Sequence, residues 1–259
     1  MPFFRTAGKI VYFAHVPKCA GTSVEDYLIE RFGTLAMLDR RFLSKEAAAR
    51  WSRTSPQHID WQSLQTILPA SLIDAVFTVV RHPVARAESA FHFQIGVERS
   101  IPPETRFSSW LREQIAMMQA DPFVLDSHMR PQTDFVPEGA AVFHMEHGLD
   151  ALIHWLDAVT GSADGPRAIG HSNKRKSNSG KASGAHASAR TSPEDIALLE
   201  KAYAADFARF GYSAEDRAPQ ARAPAPPEAF TAARDSDLAR RNSLPEKLRT
   251  RASRWLARP

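Results

Sequence analysis

The hydrophobic pattern along the chain changes period several times, and each change marks an element. Ile10-Val11-Tyr12-Phe13-Ala14-His15-Val16 is a nearly unbroken apolar, β-branched and aromatic run, the pattern of a strand covered on both faces. Ala75-Val76-Phe77-Thr78-Val79-Val80 and a stretch near residues 140–145 read the same way. Between them the spacing becomes helical. Val24, Tyr27, Leu28 and Phe32 fall on one stripe, as do Val84, Ala87, Phe91 and Ile95. Phe107, Trp110, Leu111, Ile115 and Met118 form another, and Leu149, Leu152, Ile153, Leu156 and Val159 a further one. Strands near 9–16, 75–81 and 140–145 thus alternate with helices near 22–32, 61–68, 83–97, 107–119 and 148–160. That alternation predicts an α/β domain whose mostly parallel central sheet is flanked by helices. A last helix is capped by Ser192, opened by Pro193 and striped by Ile196, Leu199, Tyr203, Phe207 and Phe210 before Gly211 stops it.

Composition sets the limits of this domain. A chain of 259 residues with 43% hydrophobic content can bury a full α/β core, placed here over residues 1–215. Two stretches depart from the pattern. Residues 167–190 interleave Arg and Lys with Gly and Ser and contain no acid, which reads as a mobile basic loop. Residues 216–259 are rich in Ala, Pro and Arg and read as a disordered basic tail. That tail holds ten Lys or Arg against five Asp or Glu, whereas the whole chain carries only +4. The folded part is therefore close to neutral, and its charge gives no reason to expect nucleic acid as a partner. Leu244 to Leu256 has the makings of a short basic helix for peripheral contact with a membrane or partner, though a frayed tail fits the composition better. No apolar run reaches the roughly 18 residues needed to span a bilayer. The first residues do not resemble a signal peptide, and the lone cysteine leaves no internal disulfide, so a cytoplasmic location is expected.

The chemistry is concentrated where strands turn into helices. After the first strand, Pro17-Lys18-Cys19-Ala20-Gly21-Thr22-Ser23 puts a lysine, a glycine and two hydroxyls at a helix mouth. The first amides of a helix have no internal partners and its dipole is positive there, so an anion fits. Thr22 and Glu25 also have the spacing of a capping box. The loop departs from the Walker pattern, since Lys18 precedes Gly21 by three residues and no glycine opens the turn. The second strand ends in Arg81-His82-Pro83 rather than in an aspartate able to hold magnesium. Phosphate would then be met by Lys18, Arg81 and helix amides, with no metal required. No His or Cys spacing in the chain forms a metal-ligand motif either.

These two segments resemble the PAPS-dependent sulfotransferases, which use 3′-phosphoadenylyl sulfate (PAPS), and within them the carbohydrate group that includes heparan 2-O-sulfotransferase. Pro17-Lys18-x-x-Gly21-Thr22-Ser23 is similar to that family's 5′-phosphosulfate loop. Arg81, at a strand end, and Ser89, eight residues on in the next helix, are similar to its 3′-phosphate element. The resemblance implies a P-loop-like three-layer fold, in a soluble bacterial-type member without the amino-terminal anchor of Golgi relatives. It implies in-line transfer of a sulfuryl group to a hydroxyl of a carbohydrate or glycoconjugate, with adenosine 3′,5′-bisphosphate as product. Lys18 would stabilise the leaving bisphosphate. The base would be His58, the only histidine in the interval before the Arg81 strand where relatives carry theirs. His15 reads as structural, with its ring beside the loop. His128, Arg130 and Gln132, in a segment similar to a His-x-x-Pro-Gln stretch of some relatives, would face the acceptor or hold the base. Asn173 and Lys174 resemble a nucleotide-contacting region after the third strand. Two other classes stay open on the residues alone: a phosphoryl-transfer P-loop enzyme, and a non-catalytic protein that binds a nucleotide or an anionic glycan.

Overall fold

The computed structural model describes residues 2–170 and 191–243. Four strands form one sheet in chain order: β1 (Phe3–Thr6), β2 (Lys9–Ala14), β3 (Ala75–Val80) and β4 (Ala141–His144). β2 and β3 run parallel, with Phe13 opposite Phe77, and β3 and β4 run parallel, with Val79 opposite Phe143. The expected parallel centre is therefore present. β1 was not expected. It pairs antiparallel with β2 through a two-residue turn in which Ala7 and Gly8 both have positive φ, 47° and 79°. That is the backbone of the tight turn whose twist matches a hairpin, and glycine at its second position adopts it without strain. Phe3-Phe4-Arg5-Thr6 is too short to betray a strand by periodicity.

Eight α-helices flank the sheet among the described residues. α1 spans Gly21–Phe32, α2 Trp61–Gln65, α3 Pro83–Phe93, α4 Phe107–Ala120 and α5 Asp150–Thr160. α6 spans Pro193–Ala202, α7 Ala204–Phe210 and α8 Glu228–Asn242. None is long and apolar enough to cross a membrane. The core joins both kinds of element: Tyr12, Phe13, Phe77, Phe91, Trp110, Leu111 and Leu152 are almost wholly buried. Phe13 stacks on Phe77 at 4.9 Å between neighbouring strands. Each such side chain stabilises the fold by about 1.5–3 kcal/mol relative to exposure.

Three expectations change. α3 ends at Phe93 and continues as a π-helical turn, Gln94–Glu98, so the helix read as 83–97 is not uniform. The final helix is broken at Tyr203, where φ −117° interrupts it. The break lets the Tyr203 hydroxyl donate to Met129 O (2.6 Å) and lets Asp206 accept from the amides of Gln132 and Thr133. The third change lies in the basic tail, where residues read as disordered carry α8. That helix docks through one buried ring, Phe230, and through ion pairs from Arg234 to Asp150 and from Arg241 to Glu30. Buried Asp237 also accepts the Arg167 amide at 2.8 Å. A helix anchored by charges has no apolar stripe, which is why the hydrophobic pattern missed it. Residues 171–190 and 244–259 lie outside the described residues.

Candidate active site

The loop from His15 to Ala20 joins β2 to α1, and its path is fixed from behind. Gly21 is required by space: a Cβ there would lie 1.7 Å from His15 Nε2. The imidazole is held against that glycine by a stack on Phe13 (5.3 Å) and by Glu25, whose Oε1 is 2.8 Å from His15 Nδ1. Burial raises the pKa of the Glu25 carboxyl, but His15 and Arg40 outweigh it and lower the value to about 2. Glu25 is thus an ion-pair residue, not a capping-box partner for Thr22. α1 starts after Ala20, which has φ 61°, with no side-chain cap. Among the described residues, the five successive amides from Lys18 to Thr22 donate to no acceptor. Unsatisfied amides at the positive end of a twelve-residue helix form an anion cradle.

The second turn lies at the same edge, since parallel β2 and β3 end side by side. Arg81 NH1 is 3.5 Å from the carbonyl of Lys18, so the two turns touch. Gln132, fully buried, clasps both of them. Its Oε1 accepts from the Arg81 amide (3.0 Å) and from the Cys19 thiol (3.4 Å), and its Nε2 donates to Arg81 O (2.9 Å). Gln132 is therefore a brace behind the cationic turns and does not face an acceptor. Burial pushes the Cys19 thiol up to about 12, so the cysteine is a packed loop residue. Arg86, 1% exposed, fixes the neighbouring segment by donating to the carbonyls of His128 and Arg130.

The two cationic heads are not neutralised by this scaffold. Among the described residues neither Lys18 nor Arg81 makes an ion pair. Lys18 Nζ sits 3.3 Å from the centroid of the Phe93 ring. Burial, reinforced by Arg81 and opposed by Glu98, lowers its pKa to about 8. A half-buried cation with no carboxylate in ion-pair contact favours an anionic ligand as its complement. Ser89 is half-buried on α3. Asn173 and Lys174 fall outside the described residues.

His58 ends a short 3-10 turn, Pro56–His58, and is paired with a residue that the sequence reading overlooked. Its Nδ1 lies 2.6 Å from Oδ2 of Asp126. Asp126 also accepts from the amide and the hydroxyl of Ser55, both at 2.6 Å. Burial works against the charged carboxylate, yet His58 and Ser55 hold its pKa well below the usual range. Leu125, Asp126 and Ser127 all have left-handed φ (50°, 55° and 61°), an unusual run for three non-glycine residues. Arg130 steadies the other side through Asp60 (2.9 Å) and Asp134 (2.7 Å), and Asp60 caps α2 by accepting the Ser63 amide.

Ring contacts link the pair to the loop lysine. His58 meets His15 edge-on at 4.8 Å and His128 at 5.3 Å, and His128 meets Phe93, the ring beneath Lys18, at 5.4 Å. Burial, reinforced by the neighbouring Lys18 charge, pushes His128 well below its usual pKa and keeps it neutral. With Nδ1–H donated to Asp126, the imidazole of His58 carries its lone pair on Nε2, the arrangement of a general base. His58, Asp126 and His128 also bring ligand atoms within 4.8 Å of one another. The sequence argument against a metal-ligand set holds for spacing only. The fold assembles such a set from distant segments, although the short Nδ1–Oδ2 bond already engages two of its three members.

Nothing in the local sequence around Asp126 marked it, and its role follows only from the pairing of segments 68 residues apart. Together, these contacts set two cationic turns at the edge of the parallel strands of an α/β sheet, beside a histidine–aspartate pair. Residues 2–213 match the model of the Sulfotransferase family, and the chain belongs to that family. The family's chemistry is sulfuryl transfer, so the chain is a transferase, and the phosphoryl-transfer alternative is not favoured. No curated protein and no solved structure matches the chain.

Proposed function

We propose that this protein transfers a sulfuryl group from 3′-phosphoadenylyl sulfate to an acceptor hydroxyl, with His58 as base and Lys18 stabilising the leaving bisphosphate. The observation that carries this reading is the convergence, at one sheet edge, of Lys18, Arg81 and the His58–Asp126 pair. Five unpartnered loop amides and two unpaired cations match a ligand with phosphate at both ends. When bound, the donor supplies an electrophilic sulfur and a stable bisphosphate leaving group.

The chain's own residues supply the rest. The amides from Lys18 to Thr22 and the Lys18 ammonium hold the 5′ end. Arg81, whose planar fork suits phosphate, holds the 3′ end with Ser89. Asn173 and Lys174 are further nucleotide contacts in this reading. His58 Nε2 takes the acceptor proton, and Asp126 keeps the other ring nitrogen protonated and stabilises the resulting imidazolium. A P-loop-like three-layer architecture and a sugar or glycoconjugate acceptor complete the proposal.

Thermal shift with adenosine 3′,5′-bisphosphate against ATP, each with and without magnesium, tests it. At 100 times the dissociation constant the bisphosphate should add about 2.7 kcal/mol of stability. The expected result is a preference for the bisphosphate that survives a chelator. Equal response to ATP, or dependence on magnesium, would refute the assignment. A non-catalytic binder is separated from an enzyme by His58→Ala, which should lower turnover by about 10²-fold or more without weakening nucleotide binding.

A further inference from the structure

Thr54 and Ile59, which bracket His58, and Phe123, three residues before Asp126, also wall a cleft of about 620 Å³. That is the size of a small-molecule site. The two segments that carry the histidine–aspartate pair therefore border a second concavity. Its wall is largely apolar and aromatic: Trp51 is 56% exposed and Ile67 53%, an unusual presentation for such large side chains.

Its electrostatics are as telling as its shape. The one cation in the wall, Arg53, is already paired with Asp121 and lies over the Phe123 ring at 4.5 Å. Arg130, 5.2 Å from the same ring, is paired with Asp60 and Asp134. Both arginines are thus engaged by carboxylates, and the wall itself offers a negatively charged ligand no unpaired cation. Towards Lys18 the closing residue of the π-turn is Glu98, another acid. A polyanion gains no counter-charge from this wall, whereas the C–H face of a pyranose or an aglycone ring packs well on indole.

We infer that the acceptor is an uncharged hydroxyl compound with an apolar face, of the class of neutral alkyl or aryl glycosides, seated against Trp51 and Phe123. The word acceptor rests on the sulfuryl-transfer reading; the binding itself does not. The test is calorimetric titration of the full chain, at low salt and without nucleotide. Its probes are octyl and phenyl β-glucopyranoside and, separately, a heparin-derived tetrasaccharide. A neutral glycoside should bind more tightly than the tetrasaccharide, and Trp51→Ala should weaken it by about tenfold or more. Trp51 is exposed enough for the variant to fold. Asp121→Asn frees Arg53 yet keeps an oxygen for the Phe123 amide, which Oδ1 accepts at 3.1 Å; it should improve tetrasaccharide binding.

The inference is overturned if neither glycoside binds up to its solubility, if the tetrasaccharide binds more tightly, or if Trp51→Ala changes nothing. A parallel titration with adenosine 3′,5′-bisphosphate keeps the two readings apart. Bisphosphate binding without glycoside binding sinks this inference and spares sulfuryl transfer. Glycoside binding without bisphosphate binding sinks sulfuryl transfer and upholds the cleft.

Discussion

Replacing Asp126 with Asn isolates the contribution of the dyad, because shape and left-handed backbone are both preserved; asparagine tolerates φ 55° well. The amide oxygen can still accept from the Ser55 amide. The amide nitrogen, however, presents hydrogens where His58 Nδ1 and the Ser55 hydroxyl now donate. His58 can answer only by moving its own proton to Nε2, which removes the lone pair needed to accept a proton from substrate. The lost interaction is a 2.6 Å charge-assisted hydrogen bond between two groups about 10% exposed. Such bonds contribute about 1.5–3 kcal/mol, or about 10- to 150-fold in rate, before the tautomer change is counted. The assay is release of adenosine 3′,5′-bisphosphate from the sulfate donor, with bisphosphate affinity and the His58 proton resonance followed in the same variant. The expected outcome is a fall in kcat within or beyond that range, a changed His58 proton resonance and unchanged bisphosphate affinity. An unchanged kcat, or a joint collapse of kcat and nucleotide affinity, would refute the reasoning.

Four further outcomes are expected. Gly21→Ala should destabilise the fold by about 1–3 kcal/mol in urea unfolding although alanine is the better helix former, because its Cβ would displace the His15 ring; a variant as stable as the parent contradicts this. Lys18 has its pKa lowered by burial to about 8, so bisphosphate affinity should fall as pH rises through 8, and Lys18→Ala should abolish that dependence. Because the unfolded chain holds this proton up to a higher pH than the folded one, the stability of the ligand-free protein should rise between about pH 8 and 10.5, which chemical denaturation across that window checks. Phe230→Ala should release α8, read as loss of amide-exchange protection over Glu228–Asn242 with bisphosphate binding intact; retained protection would mean that the ion pairs alone hold the helix.

What the sequence disclosed follows from where the information resides. The parallel strands and both cationic turns are local patterns, since an apolar run and a βα turn are each defined within about a dozen residues. His58 is singled out by the family resemblance, which implies a base in the interval before the Arg81 strand, where it is the only histidine. Asp126 was invisible because an aspartate in Leu125-Asp126-Ser127 becomes a partner only once two distant segments meet. Gln132 reads from sequence as facing an acceptor or holding the base because nothing local says that its amide lies between Arg81 and Cys19. α8 was read as a disordered tail because charges, rather than an apolar stripe, anchor it. Periodicity reports burial of apolar faces, and these residues do their work through hydrogen bonds and ion pairs.

The turn at Leu125–Ser127 shows why this arrangement depends on the whole fold. Left-handed backbone costs about 1–2 kcal/mol per non-glycine residue, so three in succession cost about 3–6 kcal/mol. The interactions opposing that cost are the three hydrogen bonds accepted by Asp126 and the anchoring of the next residues by Arg86. Charge-assisted bonds at about 1.5–3 kcal/mol each offset the strain with little to spare. The carboxylate is therefore held at His58 only while Ser55, His58 and Arg86 all remain in place. A site balanced this closely should respond to loss of any one of them by relaxing the turn and withdrawing Asp126, so Ser55→Ala should reproduce part of the Asp126→Asn phenotype through the loss of its hydroxyl bond to Asp126.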